Sequence, residues 1–239
     1  MQFVDHTCST AAENLALDEL LLDEAEQGSE PREVLRLWEP REPLVVIGRS
    51  SKIAEEVNLP ECARRGVPVL RRTSGGAAIV TGSGCLMYAV VLSYQQRPEL
   101  RAIDVAHRFV MQRLRAGLAS VGAVVEMQGT CDLTLDGCKF SGNALRCRRE
   151  HCLYHGTLLY DFALPTIDEL LRMPPRMPEY RAERPHRTFV SNLPLSRAAL
   201  RAAVQQAFLT EGVYQSWDTA ALRLLAQEKF DNPEWNAKL

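Results

Sequence analysis

The sequence predicts an α+β fold built mainly on antiparallel sheet. Two observations lead there. The order along the chain is helix, strands, helix, strands, helices, without the strict strand–helix alternation of a doubly wound sheet. Residues 124–160 read as strands only, and Asp136-Gly137 inside them is a strong hairpin signal between apolar stretches.

The elements follow in order. Thr10-Ala11-Ala12-Glu13 is a capping box that opens a helix over 10–25, with Leu15, Leu17 and Leu20 to Leu22 apolar. Gly28 and Pro31 end it. Val34–Trp38 and Leu44–Ile47 read as strands, with Pro40 and Pro43 bracketing the turn between them. A short helix is expected at 60–65. Strands follow at 67–71 and, after Ser74-Gly75-Gly76, at 77–80. Cys85–Ser93 is a long apolar run of β type. Ile103–Ser120 is the clearest helix, with Phe109, Leu114 and Leu118 on one side. The hairpin is expected between strands at 133–135 and 139–144, with 153–161 pairing with them. Residues 172–188 hold five arginines and four prolines and read as a mobile surface loop. Ser196 and Asp218 cap the last two helices. One domain over 1–239 accounts for the whole pattern.

Composition limits the function. Of 239 residues, 46% are hydrophobic and 24% charged, as expected of a globular chain with a sizeable core. A net charge of −2 gives no general case for a nucleic-acid partner. No apolar run reaches the ~18 residues of a membrane helix. The start, Met1 to His6, lacks the pattern of a secretory leader. Seven cysteines, an odd number, suggest free thiols. A cytoplasmic enzyme, not bound to membrane, is the expectation. Cys147, His151, Cys152 and His155 cluster, but neighbours on a strand point to opposite faces and cannot converge on zinc.

Three stretches could carry chemistry. In Arg71-Arg72-Thr73-Ser74-Gly75-Gly76-Ala77-Ala78 the glycines let backbone approach a ligand and offer N–H groups to an anion. The spacing is neither a P-loop nor GxGxxG, and a tight turn with solvated arginines explains it equally well. In Asp132 to Ala144, Lys139 starts a strand beside Ser141-Gly142. It could act as a point charge on phosphate or carboxylate, or simply guard a sheet edge. In Tyr154-His155-Gly156-Thr157, a histidine beside Gly-Thr could orient a substrate or sit satisfied in the core.

Taken together and in order, these stretches resemble the lipoate–protein ligase A family, within the biotin/lipoate ligase and octanoyltransferase group. Its pattern is RRxSGGG, NDL, K-[IV]-SG-x-A and HHGTLL. Here they read Arg71 to Ala77, Cys131-Asp132-Leu133, Lys139 to Ala144, and Tyr154 to Leu159. Asn14 to Glu19, Gly48-Arg49, Val57-Asn58 and Phe189 to Leu193 match further segments. The resemblance implies the biotin/lipoate ligase catalytic fold, similar to class II synthetases. It also implies ATP with Mg2+, lipoate or octanoate as the acyl substrate, and a lipoyl-domain protein as acceptor. Lipoate would become lipoyl-adenylate, which a lysine of the acceptor then attacks.

By this resemblance Lys139 is the catalytic cation, reaching both the acyl carbonyl and the α-phosphate. Arg71, Ser74, Gly75, Gly76, Ala77, His155 and Gly156 would line the acyl site. Arg49, Arg72, Ala78, Asp132, Arg184 and Arg187 would meet nucleotide or phosphate, with Asp132 also a candidate metal ligand. Residues 172–188 correspond to a loop that closes over the adenylate.

Departures from the pattern are Ala77 for the third glycine, Thr81 for a histidine, Gly84-Cys85 for Gly-Asn, Cys131 for the asparagine of NDL, and Tyr154 for the first histidine. They suggest altered adenylate contacts. Glu228 to Asn236 resembles the segment that closes the large domain of two-domain ligases. The expectation is that the accessory domain is absent and that a small separate subunit replaces it. One alternative is an ATP-independent octanoyl or lipoyl transferase using Cys131 as a thiolate. Another is a non-catalytic lipoate-binding scaffold.

Overall fold

A computed structural model describes residues 1–238. A five-stranded sheet in the order β1-β2-β6-β11-β10 forms the centre. Its strands are β1 (Gln2–Asp5), β2 (Val34–Trp38), β6 (Cys85–Ser93), β10 (Asn143–Cys147) and β11 (His151–Leu159). β1 runs parallel to β2, and every other pairing is antiparallel. Two three-stranded sheets flank it. One is β4-β3-β5, from β3 (Leu44–Ile47), β4 (Val69–Arg71) and β5 (Ile79–Thr81). The other is β7-β8-β9, from β7 (Glu126–Gln128), β8 (Asp132–Leu135) and β9 (Cys138–Ser141). The architecture is α+β, as predicted.

Helix α1 (Ala11–Gln27) carries the expected capping box, with Glu13 N–H donating to Thr10 and Thr10 N–H donating to Glu13. It lies on one face of the central sheet. Its buried surface runs almost all round because α8 (Thr219–Leu225) and a π-helical turn over 226–230 cover its other side. α4 (Ile103–Ser120) takes the opposite face, where His107 Nδ1 and the Tyr154 hydroxyl are 2.8 Å apart. α7 (Arg197–Ala207) packs outside α4. The short helices are α2 (Ile53–Glu56), α3 (Leu59–Arg65), α5 (Pro165–Leu170), α6 (His186–Phe189) and α9 (Pro233–Asn236).

Two sequence expectations need correction. Residues 139–144 are not one strand: the chain leaves β9 at Ser141, turns at Gly142 and enters the central sheet as β10. Consequently β11 pairs with β10 and β6, not with β8 and β9. Strand β1 carries no signal in the sequence. Four residues beside a long helix carry too little periodicity to stand out, and parallel pairing with β2 is what fixes them. The Arg- and Pro-rich stretch is also more ordered than a loop, holding a 3-10 turn at Glu179–Arg181 and then α6.

Candidate active site

Two cavities meet at Lys139. The first, of about 210 Å³, is lined by Leu15, Trp38, Val46, Ile79 and Met87, with Asp18, Arg72, Asn143 and His155 as its polar groups. The second, of about 150 Å³, lies under residues 172–189 and is lined by Glu56, Arg172, Arg176, Arg181, His186 and Phe189. Ala77, Ala78, Ile79, Asp132, Lys139, Gly142 and Thr157 line both. Larger depressions of 580 and 1060 Å³ elsewhere include neither Lys139 nor the glycine loop.

Lys139 reaches the shared wall from the start of β9. Its Nζ lies 2.8 Å from Asp132 Oδ1 on the neighbouring strand. Tyr180, from the 3-10 turn, donates to Asp132 Oδ2 at 2.7 Å. Burial, and then the Asp132 charge, raise the Tyr180 pKa, so the hydroxyl remains a donor. An ammonium has three donors. Asp132 takes one, leaving two for groups in the cavities. Gly142 makes room for this head: a Cβ there would stand 2.9 Å from Lys139 Nζ. At Gly156 a Cβ would collide with the Asn143 amide, which the Tyr88 hydroxyl and the Cys131 carbonyl hold in place.

A row of residues crosses the central sheet beneath α1: Arg36, Ala89, His155 and Ala144 are successive cross-strand partners. Small Ala89 leaves a slot into which Asp18 descends from α1. Its carboxylate sits 2.5 Å from Arg36 and 3.7 Å from His155 Nδ1. His155 Nε2 is 2.5 Å from Ser74 Oγ, which ties the glycine loop to the sheet. Arg72 holds the same loop through the carbonyls of Gly75 and Ala77.

The structure separates the expected site residues. Lys139, Asp132 and Ala78 line both cavities, and Gly76, Ala77, His155 and Gly156 line the first cavity or the shared wall. Arg72 lines the apolar cavity and not the second one; burial lowers its pKa to about 10. Arg71 is fully buried and lines neither. Its guanidinium donates to the carbonyls of Gly48, Ser51, Trp235 and Asn236. Adjacent residues on a strand alternate faces, so only one of the two arginines can look into the cavity. Ser74 acts through His155, and Gly75 is exposed with its carbonyl turned to Arg72. Arg49 and Arg187 are exposed and line neither cavity, and Arg184 donates to the carbonyls of Arg181, Tyr180 and Gly137. In their place stand Arg172, Arg176 and Arg181.

Asp132 does not suit a metal. Both carboxylate oxygens are taken, one of them by an ammonium, and no group of three metal-ligating side chains occurs among the described residues. The Cys147–His155 cluster likewise forms no metal site: His151 turns to Glu26 and His155 to Asp18. Cys131 and Tyr154 line neither cavity, and Cys131 reaches the first one only through Asn143, to whose carbonyl its thiol donates. They pack on each other, and burial, then the Asp132 charge, push the Cys131 thiol up to about 11. Sequence reasoning missed Tyr180, the single aromatic residue of the Arg- and Pro-rich stretch, and did not single out Asp18 or Asn143, which lie inside quoted motifs.

Residues 10–211 match the family model of the lipoyl protein ligase A/B catalytic domain. The chain belongs to this family. A Mycoplasma pneumoniae protein of the lipoate-protein ligase A type is 34% identical over 148 residues, 62% of this chain and 42% of that protein. The match thus spans less than half of that relative. The octanoyltransferase LipM of Carboxydothermus hydrogenoformans is 28% identical over 98% of this chain and 97% of its own. Among solved structures, a bi-partite lipoate protein ligase from Thermoplasma acidophilum, studied with its E2 lipoyl domain, superimposes with a TM-score of 0.81. The identity is 22%, over 99% of this chain and 95% of that one. That likeness shows the fold.

Proposed function

We propose that this member of the family is a lipoate–protein ligase. It would activate lipoate with ATP and pass the acyl group to a lysine on a lipoyl-domain protein. The observation that carries the reading is the Lys139 ammonium on the wall between an apolar cavity and an arginine-lined one. A carboxylate at the end of an acyl chain in the first cavity would meet a nucleotide α-phosphate in the second at that wall. The carboxylate oxygen attacks phosphorus and pyrophosphate leaves. The acceptor amine then attacks the anhydride carbonyl, loses its proton, and AMP leaves. Lys139 stabilises charge in both steps, an effect worth about 3–4 kcal/mol for one such fixed donor. Arg172, Arg176 and Arg181 balance the phosphate charge. Tyr180 and Asp132 hold the ammonium in place. Mg2+ would have to arrive on the nucleotide phosphates, since Asp132 is committed to Lys139 and Tyr180.

A lipoyl-domain acceptor and a separate accessory subunit are supported by the likeness to the bi-partite ligase. No helix among the described residues is long and apolar enough to cross a membrane. Seven free cysteines agree with a cytoplasmic setting. The second reading is an acyltransferase, favoured by the full-length match to LipM. Against it stands Cys131, whose half-buried thiol lies outside both cavities. The test is lipoate-dependent exchange of pyrophosphate into ATP, measured with and without candidate small subunits. Exchange supports the ligase. No exchange under any condition, with ATP-independent transfer from an octanoylated carrier, overturns it.

A further inference from the structure

We propose that Cys147 and Cys152 form a dithiol site for thiol–disulfide exchange, whose reaction partners are small molecules bearing a disulfide. The two residues are direct cross-strand partners at the end of the β10–β11 hairpin. Arg148 N–H donates to the His151 carbonyl, and Thr157 N–H donates to the Gly142 carbonyl. The pairs 148/151 and 142/157 are therefore the hydrogen-bonded kind. Antiparallel pairs alternate, which makes Cys147–Cys152 a non-hydrogen-bonded pair with its side chains on one face. Such pairs hold their Cα atoms about 4.5 Å apart. A disulfide spans Cα separations of about 4.4–6.8 Å, so the bridge needs no change of strand register. The Tyr94 hydroxyl neighbours both sulfurs. None of the other five cysteines faces a cysteine in strand register.

The two thiols are unequal. Cys147 is exposed, and Cys152 is fully buried beneath it. Burial pushes the Cys152 thiol up to about 12, with Cys147 and Glu33 adding to the rise and the neighbouring Tyr94 hydroxyl opposing it. Cys147 is thus the entering sulfur and Cys152 the resolving one. The Cys147 thiolate attacks one sulfur of the external disulfide. A mixed disulfide forms, and the other sulfur leaves as a thiolate. Cys152 then loses its proton and attacks Cys147 Sγ, expelling the second reagent sulfur. The two cysteines are oxidised, the reagent is reduced to two thiols, and the two protons end on those thiols. Glutathione disulfide and the 1,2-dithiolane of free lipoate share this chemistry. Neither sulfur lines a cavity at Lys139, so the site is distinct from the one described above.

The test is peptide mapping of the reduced full chain after incubation with glutathione disulfide or, separately, with lipoate, acid quenching and alkylation. The expected product is a 147–152 linkage lacking two hydrogens, formed with a matching yield of reduced reagent. Reaction with glutathione disulfide alone assigns the site to linear disulfides; reaction with lipoate extends it to the dithiolane. Cys152→Ser, or Cys152→Ala where the serine variant fails to fold, should stop at a mixed disulfide on Cys147. Cys147→Ser should leave Cys152 unmodified in the folded chain. The proposal is overturned if both thiols of the folded wild type stay free while the unfolded chain is oxidised. A linkage that joins either residue to a different cysteine overturns it as well.

Discussion

Replacing Arg71 by alanine separates the two arginines of the glycine-loop motif. The Arg71 guanidinium is buried and bridges three segments: the end of β4, the carbonyls of Gly48 and Ser51, and the carbonyls of Trp235 and Asn236. Its backbone carbonyl accepts from the Trp235 indole, and its N–H donates to the Asn236 side chain. Those two bonds survive in Arg71→Ala, and the side-chain bonds do not. The Ser51 carbonyl, bound at 2.8 Å, is left without its donor in a buried place, while the Gly48 carbonyl keeps the Ser51 N–H. An unsatisfied buried acceptor costs about 1–3 kcal/mol. One such group, together with the lost packing of the stem, places the destabilisation at about 2–4 kcal/mol. Urea unfolding at constant m-value measures it. Lipoate affinity of the folded fraction should stay within about twofold of wild type, which is under 0.5 kcal/mol. A loss below 1 kcal/mol accompanied by a tenfold weaker affinity for lipoate would refute this reasoning and return Arg71 to the acyl site.

Lys139→Ala should keep the fold and slow acyl transfer by ~10²-fold or more, and Lys139→Arg should recover little because a planar fork does not replace an ammonium. Transfer assays on preformed lipoyl-adenylate decide it, and near wild-type rates would sink the assignment. Cys131→Ser should retain that transfer; a folded but inactive variant, or an acyl thioester trapped on Cys131, would favour the acyltransferase. Gly156→Ala should push Asn143 aside and weaken lipoate binding by about tenfold or more, read by calorimetry, with unchanged binding counting against the cavity. Burial holds His107 and His186 below the ordinary histidine value. The unfolded chain therefore takes up protons first, and stability present above about pH 6.5 should be lost as pH falls through that value. Urea midpoints at pH 7.5 and 5.5 measure the loss, and a flat or rising midpoint on acidification would contradict it.

The long elements were legible because their signals are local. The Thr10–Glu13 box and the apolar runs at Cys85–Ser93 and Ile103–Ser120 each lie within a single stretch. The break at Gly142 was hidden, because the strand pattern is continuous across it and only pairing assigns its two halves to different sheets. The site was legible as an ordered set of motifs. What each side chain faces was not. Arg71 ends β4 and Arg72 follows it directly; they are identical letters, and the backbone direction decides which one enters the cavity. Similarly, five arginines in 172–188 look interchangeable until the 3-10 turn turns Arg181 inward and Arg184 toward backbone carbonyls.

The wall that the two cavities share bears on how such a chain can diverge. On the proposed reading, recognition of the acyl tail would depend on α1, the central sheet and the glycine loop, which line the first cavity. Recognition of the activating group would depend on α2 and residues 172–189, and only the residues around Lys139 belong to both linings. Substitutions on the second side can therefore change which activated donor is accepted while the tail and the attacking amine meet unchanged surroundings. A lineage built this way can exchange a nucleotide for a carrier-protein thioester, as two separately inherited characters, with no change of scaffold.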